Sequence, residues 1–128
     1  MGDIRTKRIY EPFDSADGRR ILVDRIWPRG VSKESAMLTL WMKEIAPSPD
    51  LRQWFGHDPA RFDRFKEHYE AELDNPSAQP YVRQLLDWSM RGRVTLLYAA
   101  KDERYNHAFV LKQYLDRVKS EETSTDNR

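Results

Sequence analysis

The residues with the clearest chemical potential fall in three clusters. The first is the run from Arg19 to Lys33, where five Lys or Arg accompany one carboxylate, Asp24, in a chain whose formal net charge is only +1. An apolar strand-like segment passes there into a loop punctuated by Pro28 and Gly30. Arg25, Arg29 and Lys33 suit an anion, because a guanidinium forks onto phosphate or carboxylate with two parallel hydrogen bonds. The second cluster is Lys101, Asp102, Asn106 and His107, which follows an apolar segment and opens a helix. A neutral histidine is an acid, a base or a hydrogen-bond donor, and His107 lies four residues before Leu111 on the inward side of its helix. Asp102 orients such a base or pairs with Lys101, while Asn106 is expected first as a helix cap. The third cluster is His57-Asp58 beside Trp54-Phe55, where Asp58 reads as a cap and His57 can close over a ligand from a loop.

Each cluster also has a purely structural reading. Asp24 and Arg25 can pair with loop charges, Pro28-Arg29-Gly30 can be a turn, and His107 can be a half-buried histidine bonded to a carbonyl. His68, among Lys66, Glu67 and Glu70, reads as a solvated helix position. Between residues 50 and 74 seven Asp or Glu face four Lys or Arg, so a basic mouth is expected beside an acidic flank.

The elements that must position these groups follow from periodicity. Ile4 to Tyr10 and Ile21 to Trp27 read as strands, separated by Glu11-Pro12 and a turn at Asp17-Gly18 that permits a β-hairpin. Ser32 or Ser35 opens a short helix. Residues 38 to 43 alternate with a period of two and predict a third strand, although Leu38, Trp41, Met42 and Ile45 also fit a helix face. Leu51, Trp54 and Phe55 mark one or two helical turns that end at Gly56. Asp58-Pro59 starts a helix carrying Phe62, Phe65, Tyr69 and Leu73 on one side. A further helix at 79 to 90 stops at Gly92, read as a left-handed terminal residue. Val94 to Ala100 is almost wholly apolar, as a central covered strand would be. The last helix spans Asn106 to Val118, and the polar segment 119 to 128 is expected to be a disordered tail. Strands alternating with helices imply an α/β fold, one domain over residues 1 to 118, with a small mostly parallel sheet, helices packed on its faces and Rossmann-like layering.

Composition removes whole reaction classes. The chain of 128 residues has no cysteine, so thiolate nucleophiles, disulfides and Cys-ligated metal are excluded. Three histidines without H-x-x-x-H spacing do not make a dedicated zinc site, and the five glycines form neither a dinucleotide fingerprint nor a phosphate loop. No metal and no cofactor is therefore expected. Apolar runs are too short to span a bilayer, and the N-terminal residues do not resemble a signal peptide, so a cytoplasmic protein without membrane contact is expected.

Several segments together resemble one family. They are Lys7-Arg8-Ile9-Tyr10, Val23 to Gly30, Trp41-x-Lys43-Glu44-Ile45-Ala46-Pro47-Ser48, Trp54-Phe55-x-His57-Asp58-Pro59, and Leu96 to Asp102 with Asn106-His107-Ala108. This chain thereby resembles the bacterial YeaO-like proteins of the domain-of-unknown-function family 488, over about residues 5 to 116 and in order. The resemblance implies a compact cytosolic α/β protein and brings no established activity. Another branch of that family carries Cys near the position of Tyr98 and a Cys-His-Arg triplet where this chain has Asn106-His107-Ala108. Thiol chemistry does not carry over, whereas the resemblance leaves a shared role open to His107.

The expected partner is an anionic small molecule, phosphate-bearing or otherwise, in a basic cleft at the strand ends. Arg25, Arg29, Lys33, His57, Lys101 and Asn106 would bind it. In a metal-independent hydrolase or transferase Asp24 or His107 would move the proton, with Asp102 orienting His107. The alternative is a nonenzymatic nucleic-acid-binding or regulatory module using the same loop, and an exposed Trp27 would instead favour a protein-interaction domain.

Overall fold

The computed structural model describes residues 2–126. Four strands form one sheet: β1 (Ile4–Arg8), β2 (Arg19–Leu22), β3 (Leu40–Trp41) and β4 (Val94–Tyr98). Five helices accompany them: α1 (Lys33–Ala36), α2 (Pro49–Phe55), α3 (Phe62–Asp74), α4 (Gln79–Arg91) and α5 (His107–Asp126). The sheet order is β1-β4-β2-β3 and every pairing is parallel. This is the expected small α/β fold.

β4 is the central strand. Its register sets Ile4 opposite Val94 on one side and Arg19 opposite Val94 on the other. β1 and β2 therefore never meet, which rules out the hairpin that the turn at Asp17-Gly18 permits. The five apolar residues of β4 reward burial on both faces more than a solvated edge position would, so the latest strand inserts between the two earliest. β2 also ends earlier than its apolar run suggests. After Leu22 only the Val23 N–H continues the ladder, to the Leu97 carbonyl at 3.0 Å, and the next rung is made by the Asp24 side chain.

The two sheet faces are covered differently. Ile4, Ile21, Val23, Leu96 and Tyr98 join Phe65, Tyr69, Leu85, Leu111 and Leu115 in the main core beneath the helices α2 to α5. Leu22 and Leu97 face the other way, against Ala36 of α1 and the half-buried Trp27, Val31, Leu38 and Trp41. Arg20 lies on that second face with 2% of its surface exposed. Its guanidinium pairs with Asp17 and donates to the Ala36 carbonyl, and Asp17 also accepts from Lys7 Nζ at 3.0 Å. One arginine of the basic run is thus an internal strut and offers no charge to a ligand.

Local signals set most element ends. Ser32 accepts from the Ser35 N–H at 3.0 Å and starts α1. Asp58 accepts from the Ala60 N–H at 3.0 Å, although one 3-10 turn, Pro59–Arg61, precedes α3. Gly56 ends α2 at φ 54°, a left-handed value at which glycine escapes the Cβ penalty. Gly92, by contrast, is extended at φ 176°, so α4 does not end on the left-handed residue expected there.

α5 runs well past Val118. Lys119 Nζ donates to the Gly2 carbonyl at 3.2 Å, and Arg83 pairs with Glu122. The segment expected to be a disordered tail is helical through Asp126, and residues 127 and 128 lie outside the described residues. Composition misleads there because its anchors are polar side chains instead of an apolar stripe. No described helix is long and apolar enough to cross a membrane.

Candidate functional site

β2 and β4 end on the same edge of the sheet, and a cavity of about 520 Å³ opens there. Asp24 and Arg25 enter it from the end of β2, Ala99 to Asp102 from the end of β4, and Asn106 and His107 from the start of α5. Its opposite wall is Ala46, Pro47, Arg52, Phe55 and His57. Ligands of parallel α/β sheets gather at this edge because the strand-to-helix loops converge there.

The segment after β4 is held from both sides. Arg8 donates from Nε to the Ala100 carbonyl at 2.8 Å and from Nη2 to the Ala99 carbonyl at 3.0 Å. Asp24 Oδ2 accepts from the Ala99 N–H at 3.0 Å. The other oxygen of Asp24, Oδ1, lies 2.9 Å from His107 Nε2. The ring's bonding direction, however, points at the Val23 carbonyl, 3.1 Å away, and Oδ1 is left buried without a hydrogen bond. The carboxylate beside His107 is therefore Asp24 and not Asp102.

Asp102 has a different place. Its Oδ1 accepts from the N–H groups of Arg104 and Tyr105, both at 2.9 Å, and these bonds hold its carboxyl below the usual carboxylate range. Asn106 caps α5, accepting from the Phe109 N–H at 2.9 Å while its amide donates to the Asp102 carbonyl. Both of its polar atoms are thus engaged, although it lines the cavity.

Beneath the site Tyr69 is fully buried, donates to the Ile45 carbonyl at 2.7 Å and meets the His107 ring edge-on. Burial pushes its phenol well above the ordinary value, with Glu72 and Asp24 adding to the effect, so it stays protonated. Arg25 donates to the Ala46 and Pro47 carbonyls at 3.2 and 3.3 Å, which fixes its guanidinium at the wall.

His57 is exposed and has φ 59°, directly after left-handed Gly56. A left-handed residue other than glycine is uncommon, and this one turns the chain so that His57 reaches the rim. Lys101 is exposed and has no ion-pair partner among the described residues.

Arg29 and Lys33 are not among the lining residues. Trp27 turns that loop to the other face of the sheet, donating to the Val31 carbonyl at 2.7 Å and packing edge-on against Trp41 at 5.3 Å. The expected basic loop is in this way divided, with Arg25 at the cavity and Arg29 and Lys33 away from it. Trp27 is half-buried, which removes the feature that would have favoured a protein-interaction domain.

Arg52 lines the cavity and was not among the expected residues. Its signal lay in the spacing, since Arg52 precedes Phe55 by three positions and so shares its side of α2. Ser48 caps that helix, accepting from the Leu51 N–H, and Glu72 of α3 grips Ser48 at both N–H and Oγ. The wall bearing Arg52 and Phe55 is thereby tied to α3. Among the described residues no three His, Cys, Asp or Glu side chains come together as a metal site would require.

With this geometry in view, the comparisons with known proteins are specific. The family described as the inactive DUF488-N3 subclade matches residues 3–128. The chain belongs to that family. It is 42% identical over 113 residues to the uncharacterized protein YeaO of Escherichia coli strain K12, covering 88% of this chain and 96% of the relative. It is also 42% identical over 113 residues to the uncharacterized protein Rv3073c of Mycobacterium tuberculosis H37Rv, covering 88% and 93% of the two chains. No solved structure matches significantly.

Proposed function

We propose that the cavity binds a small anionic molecule with an apolar body, as a binding site that performs no chemistry on it. The observation that carries this reading is the pair Arg52 and Lys101, two exposed cations without an ion-pair partner among the described residues, at the mouth of a cavity walled by Pro47, Phe55, Phe65, Ala99 and Ala100. Arg25 adds a third positive charge, already oriented by two carbonyls. The two lining carboxylates accept backbone N–H groups, Asp24 through Oδ2 and Asp102 through Oδ1, and among the described residues neither forms an ion pair with Arg52 or Lys101. An apolar pocket with few convergent charged groups suits a ligand of the same composition.

The binding reading is favoured over hydrolysis or group transfer on two grounds. No lining side chain is a serine, threonine, tyrosine or cysteine, and the hydroxyl of Tyr69, whose ring meets His107, is buried and donates to the Ile45 carbonyl, so no hydroxyl or thiol opens into the cavity to be activated. The family description also names the subclade inactive. The nucleic-acid alternative has less support, because Arg20 is internal and Arg29 and Lys33 lie away from Arg25, so no continuous basic track follows the loop.

Titration of isotopically labelled protein with phenyl phosphate tests the proposal. Chemical-shift changes should centre on residues 24–26, 46–57 and 99–107. Arg52→Ala and Lys101→Ala should each weaken binding by about 1 kcal/mol, the scale of a solvent-accessible charge contact. No shift at these residues, or shifts confined to residues 29–33, would overturn it.

A further inference from the structure

The anion reading leaves one nitrogen of His107 unused, and the inference drawn here rests on that reading while naming what else the ligand must carry. His107 Nε2 faces two acceptors, the Val23 carbonyl at 3.1 Å and Asp24 Oδ1 at 2.9 Å. A carbonyl has no proton to give, and Oδ1 is a buried carboxylate oxygen with no other partner. Without a proton on Nε2, a third lone pair would press against two others in a site closed to water. A proton on Nε2 completes the bond to Val23 and faces the carboxylate. Neutral imidazole carries a single N–H, so Nδ1 is then bare. Nδ1 has no partner among the described residues, is not among the buried unbonded atoms, and belongs to a ring that lines the cavity.

We infer that His107 presents Nδ1 to the cavity as a fixed hydrogen-bond acceptor, so that the ligand brings a hydroxyl, amide or ring N–H to it alongside its anionic group. Most other polar groups of the lining are donors or already engaged. Arg25, Arg52 and Lys101 offer only donors, and Asp24 Oδ2, Asp102 Oδ1 and Asn106 Oδ1 already accept backbone N–H groups, which leaves Asp102 Oδ2 and the rim imidazole of His57 as the other side-chain acceptors. A molecule with an anion at one end and a donor at the other is matched at both. One with the anion alone leaves Nδ1 facing apolar ligand surface, and sites built around a polar group discriminate on that basis.

Two measurements test it together. Nitrogen-15 spectra of the histidine rings in the free protein, read on the alkaline side of the ring's titration where the imidazole is neutral, should show His107 protonated at Nε2 only. A proton on Nδ1, alone or with Nε2, would overturn the inference and leave the anion reading standing. In binding, 4-hydroxyphenyl phosphate should exceed phenyl phosphate by roughly three- to tenfold, the ratio that one neutral hydrogen bond supplies. His107→Phe should erase that ratio, and His107→Gln, which keeps a donor for Val23 and an acceptor for the ligand, should restore much of it. A ratio unchanged in His107→Phe, with the variant folded by circular dichroism, would overturn the inference. Hydroquinone is the neutral control. If it binds as well as its phosphate ester, the anion reading fails while the role of His107 survives.

Discussion

Asp24 Oδ2 accepts a hydrogen bond from the Ala99 N–H at 3.0 Å, so a side chain makes the last rung between β2 and β4. Beyond Val23 no backbone bond joins the two chains where the cavity opens, and this side-chain bond holds them together at its floor. The same carboxylate sits against His107, which links the ends of both strands to the start of α5.

Asp24→Ala should therefore act on stability as well as on the site. It leaves the Ala99 N–H without its acceptor, at a cost of about 1–3 kcal/mol. A urea midpoint equal to that of the parent protein would show that water or backbone replaces the carboxylate, and that Asp24 is not part of the frame.

Acid should weaken the fold through Asp17. Burial pushes its carboxyl up, but the hydrogen bonds from Lys7, Asp14 and Arg20 outweigh that effect and its folded value is lowered. A lowered folded value means that the unfolded chain takes up the proton first as pH falls. The stabilisation is complete above the ordinary carboxylate value of about 4 and is lost as pH drops through the lowered value. Lys7→Met removes the strongest of those hydrogen bonds, so its stability should fall less between about pH 5 and pH 3 than that of the parent. Equal losses in the two proteins, read as urea midpoints, would assign the acid sensitivity to other carboxyls such as Asp3, which is also lowered.

What could be read from the sequence was whatever a few neighbouring residues decide. Asp58 before Pro59, Ser32 three positions before Ser35, and the apolar Val94 to Ala100 each carry their own cause: a 3-10 turn leading into α3 and the helix α1 start at those caps, and β4 starts at Val94 and ends two residues short, at Tyr98. The convergence of Asp24, Arg25, Lys101 and His107 was also legible, since parallel strands open at one edge. Long-range pairing was not. Nothing near Ile4 or Ile21 says that β4 will come between them, and nothing in Arg19-Arg20 says which guanidinium points inward. Arg52 is not legible because Leu51, Trp54 and Phe55 mark its helix only as an apolar stripe, and nothing in that stripe says that Phe55, with Arg52 three positions before it, faces a cavity while Trp54 is 39% exposed.

The end of α5 offers a separate test of docking by polar groups. Lys119 is half-buried and its ammonium donates to carbonyls of Gly2 and Ser89, at 3.2 and 3.4 Å. Beyond it the Glu122 pair with Arg83 is exposed, and so is Glu121. Truncation after Lys119 should therefore cost no more than about 1 kcal/mol, as for other surface ion pairs. Lys119→Ala in the full chain should cost more, because two carbonyls and an aliphatic stem lose their partner. The reverse order in thermal melts would show that the residues after Lys119 hold the helix in place.

Arg25 and Arg29, four residues apart in one basic loop, should respond in opposite ways to truncation. Arg25 binds two carbonyls at the cavity wall, and Arg25→Ala should lower stability by about 1–3 kcal/mol and weaken phenyl phosphate binding as well. Arg29 is exposed, and the contact that holds its loop is made by its backbone, whose carbonyl accepts from the Tyr10 hydroxyl at 2.9 Å. Alanine preserves that bond. Arg29→Ala should leave both stability and binding within about 0.5 kcal/mol of the parent, as surface changes away from such features usually do. Calorimetric titration of the two variants in one buffer decides between them. Loss of phenyl phosphate binding in Arg29→Ala, with Arg25→Ala unaffected, would move the anion to the other face of the sheet and reject the cavity at the ends of β2 and β4 as its site.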